Sequence, residues 1–420
     1  MLKGLRSTDE LINMNTKRKR KPFPNRHAGK LSQSAPRRNA RKASTLDPNR
    51  LVQRAVESQV DEFKAAIPFS EMALHPTLKS NLKKKGFDYP TQIQEATFSL
   101  LNEGKNLVGI ANTGTGKTGA FLIPIIEKLN YNSDSKALIM VPTRELALQV
   151  QKELDSLIPG LGIYSACFIG GTNIDRDIKK LRRSNDVIIG TPGRLKDLMQ
   201  RGNLRLGNIS TLVLDEFDRM LDMGFINDVE AIIRSIKKRD QTMLFSATID
   251  SSQKKIIDRL VDNPHEIKVS NGKTTSENVD QEVIRVPAGT EKLDLLLDLL
   301  KDSDLEKVLL FMETKHQANK TSKKLTQKGI NSDCIHGNKS QNYRVKALKK
   351  FKDGDIRVLV ATDVAARGID ISDVSHVINF QLPYTYEEYI HRIGRTGRAG
   401  KAGKAFTFVD ASHQKSTINN

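Results

Sequence analysis

The chain is short of cysteine, of aromatic residues, of acid and of long apolar runs, and each shortage removes a class of protein. Two cysteines in 420 residues cannot build a disulfide scaffold or a cysteine-rich metal site. Cys167 and Cys334 sit in apolar, strand-like runs in different halves, so both are expected as buried free thiols in a reducing compartment. No apolar run approaches the ~20 residues of a membrane span, and the amino-terminal stretch lacks the apolar core of a secretory signal. With 38% apolar residues, 5% aromatic and no tryptophan, the composition is that of a soluble α/β chain, and the length calls for two cores rather than one. Acid is scarce, with 49 Asp and Glu against 68 Lys and Arg for a net charge of +19. Residues 1–50 carry 14 of the basic side chains and 3 of the acidic, a net of +11. That tail, centred on Lys17-Arg18-Lys19-Arg20-Lys21, has almost no apolar periodicity and is expected to be a disordered arm attracted to polyanions. Asp9, Glu10 and the tightness of the cluster argue against an organelle transit peptide.

What is present begins with a glycine loop. The apolar run Leu107 to Ile110 leads into Ala111-Asn112-Thr113-Gly114-Thr115-Gly116-Lys117-Thr118, and an apolar helix-like stretch follows. Strand, glycine loop and helix in that order make a phosphate cradle. Backbone N–H groups turn inward at a helix N-terminus, Lys117 reaches β/γ phosphates and Thr118 can hold Mg²⁺. About a hundred residues on, Thr211 to Leu214 is a buried strand ending at Asp215-Glu216-Phe217-Asp218, which puts carboxylates at the edge where α/β proteins bind ligands. Asp215 is placed for the metal and Glu216 for the attacking water.

Other strand ends carry hydroxyls, guanidinium groups and glycines. Pro142-Thr143-Arg144-Glu145 follows the run Ala137 to Val141. Gly170-Gly171 and then Thr191-Pro192-Gly193-Arg194 come next, and Ser246-Ala247-Thr248 closes the half. Such a row suits phosphate oxygens and reads bases poorly. A polar stretch from Ser270 to Asn278 interrupts the strand-helix rhythm as a linker would. The second half repeats the rhythm without a second phosphate loop. It carries Gln341-Asn342-Tyr343-Arg344, Thr362, Asp370 and the run His391-Arg392-Ile393-Gly394-Arg395-Thr396-Gly397-Arg398.

Together with Gly86-Phe87-Asp88-Tyr89-Pro90-Thr91-Gln92-Ile93-Gln94, this order resembles the DEAD-box RNA helicases. The resemblance covers residues 66 to about 415 and implies two tandem recombinase-like (RecA-like) parallel-sheet domains behind the basic arm. It divides the chain into residues 1–65 as a disordered extension, 66–269 as the ATP-binding domain, 270–279 as the linker and 280–420 as the C-terminal domain. It further implies that Phe87 stacks on adenine, that Gln94 bonds the adenine edge and that Asp370 reaches the ribose. Pro142, Thr143, Arg144, Gly171, Thr191, Arg194, Gln341, Arg344 and Thr362 would grip the RNA backbone. Arg395 and Arg398 would be arginine fingers, and Asp218, Ser246, Thr248 and His391 would couple the nucleotide to strand separation. The implied cofactors are ATP and Mg²⁺, and the implied partner is single-stranded or short duplex RNA held without sequence preference. A monomer in the cytoplasm with ribosomal or ribonucleoprotein association is the corresponding expectation.

Two departures stand out. Phe217 occupies the family's alanine position, beside the coupling segment, and Gln381 stands where Asp is usual. The family's closing helix is expected to be short or absent after the strand Ala405 to Val409. A DNA-acting translocase of the same superfamily, or an ATP-gated RNA clamp uncoupled by Phe217, are the alternatives.

Overall fold

Short, wholly apolar runs such as Ala137–Met140, Val187–Gly190 and Thr211–Leu214 are buried along their full length, the pattern of parallel strands covered on both faces. The computed structural model describes residues 44, 46–55, 63–112, 114–132, 134–269, 278–366, 374–397 and 403–410, and these runs build two parallel sheets.

In the first lobe, α1 (Pro76–Lys84) and α2 (Gln92–Asn102) precede β1 (Leu107–Ile110), α3 (Lys117–Tyr131), β2 (Ala137–Met140), α4 (Arg144–Leu157), β3 (Ser165–Phe168) and α5 (Ile174–Leu181). Then come β4 (Val187–Gly190), α6 (Pro192–Gln200), β5 (Thr211–Leu214), α7 (Phe217–Asp222), α8 (Ile226–Ser235), β6 (Gln241–Ser246), α9 (Ser251–Leu260) and β7 (His265–Lys268). The sheet order is β3-β4-β2-β5-β6-β1-β7. Alternation along each strand feeds two cores. Ile139, Val213 and Phe245 pack on one face with α2, α3 and α4, whereas Leu138, Leu214 and Leu244 pack on the other with α6 and α8. Each such side chain taken from water stabilises the lobe by roughly 1.5–3 kcal/mol.

The second lobe runs β8 (Val279–Val286), α10 (Lys292–Leu299), β9 (Val308–Phe311), α11 (Lys315–Gln327), β10 (Ser332–Ile335), α12 (Gln341–Asp353), β11 (Val358–Ala361), α13 (Asp363–Ala366), β12 (His376–Asn379), α14 (Tyr386–Ile393) and β13 (Gly403–Asp410). Its order is β10-β11-β9-β12-β13-β8. Leu309 and Leu359 face one core, and Leu310 and Val360 the other.

Two expected boundaries move. The second lobe begins at Val279, the start of β8, inside the span expected as linker; residues 270–277 lie outside the described residues, as do residues 1–43, which hold most of the basic arm. The expectation of an unstructured extension as far as residue 65 is corrected for residues 46–55. Leu51 is 1% exposed and sits in the second lobe's core, and Gln53 pairs with Gln281 of β8. A single apolar residue in a polar stretch shows no periodicity, so its burial has no signature in the sequence. Cys167 in β3 and Cys334 in β10 are both buried and free. Among the described residues no helix is long and apolar enough to cross a membrane.

Candidate nucleotide site and interlobe contacts

Strands β5, β6 and β1 are neighbours, so the loops that leave their carboxyl ends meet at one edge of the first sheet. Ala111 N donates to Ser246 O at 3.0 Å and Asp215 N to Met140 O at 3.0 Å. The glycine loop, the acidic box and the Ser-Ala-Thr turn are thereby brought together.

In the glycine loop, Gly114 and Gly116 have φ of +89° and +95°, left-handed conformations that other residues adopt only at a cost. Space makes the same demand: a Cβ on Gly116 would lie 2.5 Å from Thr91 Oγ1, and one on Gly119 2.5 Å from Gln94 Nε2. Gln94 is therefore pressed on the loop. Its Nε2 donates to Gly116 O at 3.0 Å, while Oε1 accepts from Thr91 N at 2.9 Å and completes a capping box at the start of α2. Phe87 is half-buried against the first core with the Lys85 ammonium 5.1 Å from its ring. Lys117, the first residue of α3, is 7% exposed, and its Nζ is buried with no hydrogen-bond partner among the described residues. A buried, unpaired ammonium at a helix N-terminus fits an anion. The loop therefore fits a polyphosphate. Thr113 lies outside the described residues.

The acidic box is folded back on itself. Glu216 has φ of +52°, which for a non-glycine residue stores on the order of 1–3 kcal/mol of strain and is characteristic of functional turns. Its Oε2 accepts from Arg219 Nη1 at 2.8 Å, both side chains being buried. Asp215 Oδ1 accepts from Glu216 N at 2.9 Å. Burial pushes the Asp215 carboxyl up to about 6; Lys117 opposes the shift, while Glu216 and Asp218 add to it. Such a site favours a cation. Among the described residues no group of three or more His, Cys, Asp or Glu could hold a metal, so a Mg²⁺ ion here would have to take most of its oxygens from phosphates and water, with Asp215 and Thr118 as the protein's share. Asp218 Oδ2 accepts from Ala247 N at 3.1 Å and Thr248 N at 3.2 Å, and Ser246 Oγ donates to Thr248 O at 2.6 Å. The acidic box and the Ser-Ala-Thr turn form one hydrogen-bonded unit.

Phe217, beside the coupling segment in sequence, points into the core of the lobe. It is 1% exposed and belongs to the core beneath α7 with Met220 and Val229.

The expected RNA row divides in two. Gly171 has φ of +80°, and the Arg144 guanidinium lies over the Gly170-Gly171 turn, where a Cβ on Gly170 would meet it at 3.2 Å. Thr143 caps α4 through Leu146 N, and Pro142 and Thr191 are buried beside their strand ends. Arg194, Thr362, Gln341 and Arg344 are buried as well, each held by bonds within the protein. Arg194 is 8% exposed, with its Nη2 on Thr172 O at 2.6 Å and Nη1 3.2 Å from Asp177. Thr362 is 8% exposed and caps α13 through its carbonyl. Gln341 Nε2 donates to Glu145 Oε1 at 2.8 Å, and Arg344 Nη2 lies 3.0 Å from Glu145 Oε2. Glu145 belongs to the first lobe and the other two to the second. Sequence reasoning assigned no role to Glu145, although a carboxylate between Arg144 and an apolar helix face was the available sign. Burial pulls Arg344 below the usual arginine range and Glu145 works against that pull. Beside this contact, a cleft of about 1030 Å³ opens between the lobes, lined by Tyr164, Gly171, Arg176, Lys180, Gln341 and Asn342 among others.

In the second lobe α14 carries His391, and Arg395 follows it, 4% exposed. The residue that organises this segment is Arg392, which sequence reasoning left without a role. Its Nε and Nη2 each bond Asp363 at 2.7 Å, Nη1 reaches Asn379 and Gln381 O, and its guanidinium lies 5.2 Å from the Phe311 ring. Gln381 itself accepts from Glu313 N, a turn bond that needs no carboxylate. Asp370 and Arg398 lie outside the described residues.

Comparison with known families agrees with this geometry. A DEAD/DEAH box helicase model matches residues 91–256, and a helicase conserved C-terminal domain model matches residues 291–400. The chain belongs to the DEAD-box RNA helicase family. Within that family, the DEAD-box ATP-dependent RNA helicase CshA of Streptococcus pneumoniae is 44% identical over 342 residues, 81% of this chain and 65% of its own length. The chain thus spans just under two thirds of that relative. The Bacillus subtilis CshA is 44% identical over 349 residues, 82% of this chain and 70% of its own. Among solved DEAD-box structures, S. cerevisiae Dbp5 bound to RNA and ADP BeF3 superposes with a TM-score of 0.73 at 30% identity, over 84% of this chain and 92% of that one.

Proposed function

We propose that this chain is an ATP-dependent RNA helicase, in which closure of two lobes on ATP and single-stranded RNA is timed by hydrolysis. The observation that carries the reading is the buried Lys117 ammonium in its glycine loop, unpartnered among the described residues, at the same sheet edge as a carboxylate pair and a bonded Ser-Ala-Thr turn. Bound there, ATP with Mg²⁺ supplies a γ-phosphoryl group for transfer to water. The chain's own groups do the rest. Lys117 and the loop N–H groups hold phosphate oxygens, Thr118 and Asp215 hold the metal, and Glu216 orients the attacking water once freed from Arg219. Phe87 and Gln94 select adenine, with Gln94 also tying that choice to Gly116. Arg395 and Arg398 bring positive charge from the second lobe, worth roughly 10³ to 10⁵ in rate, so turnover waits on closure. Asp218, Ser246, Thr248 and His391 carry the change to the RNA face.

Arg144 and Gly171 contact the RNA backbone directly, and Pro142, Thr143, Thr191 and Thr362 hold the turns at their strand ends. Gln341 and Arg344 act by clasping Glu145 as the lobes close, and Arg194 by holding the Thr172 turn. Backbone contact carries no sequence preference. The reading includes a monomer acting in the cytoplasm in association with ribosomes or ribonucleoprotein particles. The test is ATP turnover with single-stranded RNA, with DNA of the same sequence, and with neither. RNA-specific stimulation supports the helicase, equal stimulation by DNA indicates a translocase, and binding without turnover indicates a clamp.

A further inference from the structure

Ser44 and residues 46–55 precede the first lobe in sequence yet pack on the second. Asp47 caps a 3₁₀ turn at Pro48–Leu51, its Oδ1 accepting from Asn49 N at 3.0 Å. The turn drives Leu51 into the core that holds Val279, Phe351, Tyr389 and Ile393. Beyond it the chain pairs antiparallel with β8, with Gln281 N on Gln53 O at 2.7 Å and Gln53 N on Gln281 O at 3.2 Å. Three side-chain bonds pin the rest: Ala55 N to Asp280 Oδ1 at 2.7 Å, Arg285 Nη2 to Asn49 Oδ1 at 2.7 Å, and Ser44 Oγ to Pro383 O at 2.6 Å. Strand β8 is the edge of its sheet, so the segment also covers backbone groups that an edge leaves unpaired.

Two consequences follow from this placement. First, Leu51 and Gln281 meet the helix that bears the arginine segment. Tyr389 of α14 donates its hydroxyl to Gln281 Oε1 at 2.9 Å and lies 3.5 Å from Leu51 O. His391, Arg392 and Arg395 are within two turns of Tyr389, and Ile393 packs in the same core as Leu51. Second, the chain crosses from Ala55 on the second lobe to Ala66 on the first, where Ala66 N is bonded to Glu95 Oε1. Those eleven links span at most roughly 40 Å. The crossing from Val269 to Val279 arrives beside the same Asp280. The lobes are therefore joined by two covalent connections that meet at the start of β8.

We propose that residues 46–55 are a strap, built into the second lobe, that seats α14 and makes the connection between the lobes double, so that turnover depends on a segment outside both helicase domains. The dependence of turnover rests on the ATPase reading above; the seating of the strap does not. Amide exchange on the full chain tests the seating: Gln53, Ala55 and Gln281 should exchange at least a hundredfold more slowly than an unfolded chain, and exchange of Gln53 and Ala55 at the unfolded rate would overturn the proposal. Turnover is tested by truncation. Removing residues 1–43, which leaves the strap, should keep RNA-saturated turnover within about twofold. Removing residues 1–55 should lower it at least tenfold while the affinity for a fluorescent ATP analogue stays within about threefold, and a synthetic peptide of residues 44–55 should restore part of the loss. Full turnover in the shorter chain would overturn the positioning role even with a protected strap. If that chain does not fold, the full-length Gln53→Pro variant, which lacks the bridging N–H, should show the same loss, and full turnover in that variant would overturn the positioning role equally.

Discussion

Replacing Glu145 with alanine removes one acceptor shared by two donors from the other lobe. Gln341 Nε2 and Arg344 Nη2 lie 2.8 and 3.0 Å from its two oxygens, and all three side chains are buried. At 3.0 Å and an effective dielectric of about 20, the Arg344–Glu145 attraction is on the order of 5 kcal/mol before the cost of removing both groups from water. Breaking such a pair from one side commonly costs about 3–5 kcal/mol, because the other charge is left buried. Here the protein has an escape: the lobes can separate and Arg344 can regain water. The penalty should therefore fall on closure and leave the folding of each lobe nearly untouched. A loss of about 3 kcal/mol in the closed state corresponds to roughly a hundredfold in equilibrium. Fluorescence anisotropy of a labelled single-stranded RNA with a non-hydrolysable ATP analogue should show affinity weakened between about ten and a hundredfold in Glu145→Ala. Arg344→Ala should weaken it similarly, and the double variant should be no worse than either alone. RNA affinity equal to that of the unmodified chain, or a matching loss of folding stability with closure intact, would refute the reasoning.

Three further outcomes follow from residues already described. Phe217→Ala should lower the stability of the first lobe by about 3–5 kcal/mol in urea unfolding, because it empties a fully buried ring site; a stable variant with altered duplex separation per ATP would return Phe217 to a coupling role. Gln94→Ala should weaken ATP use by roughly ten to a hundredfold and narrow the preference for ATP over GTP, since it removes both the Gly116 bond and the adenine contact; an unchanged ratio in nucleotide competition would remove the adenine assignment. Burial pushes the Cys167 thiol up to about 12, which leaves on the order of one thiolate in 10⁴ at pH 8, so thiol-reactive dye should label the native chain far more slowly than the unfolded one; equally fast labelling would show that β3 is open to solvent.

The elements visible in the sequence were those with local causes. A four-residue apolar run bounded by turn residues is a buried parallel strand whatever surrounds it, and a glycine loop between strand and helix has little choice but to cradle an anion. That logic located the edge where Lys117, Asp215 and Ser246 meet. It failed where the cause was distant. Glu145 and Gln341 are 196 residues apart, and nothing near either reveals the other, so the contact of Gln341 and Arg344 with Glu145 had no signature in the sequence. The Arg194–Asp177 pair was hidden in the same way, because Asp177 reads as an ordinary helix charge. The burial of Phe217 was not legible, because a six-residue helix is too short to show which of its faces is apolar. Leu51 went unseen since burial of one residue depends on a groove made by β8 and α14, more than two hundred residues downstream.

Release of fluorescent single-stranded RNA in the presence of ATP tests most directly whether hydrolysis at Glu216 times the opening of the lobes. Glu216→Gln keeps the shape of the side chain and its contact with Arg219 but loses the carboxylate's basicity, so water is poorly activated while Lys117, Thr118 and Asp215 still hold the triphosphate and metal. Its RNA residence time should exceed that of the unmodified chain at least tenfold. Arg398→Ala, which lacks a cation for the cleft, should hydrolyse equally poorly yet release RNA quickly. Identical release from all three chains would contradict the proposal that ATP hydrolysis controls the grip on RNA.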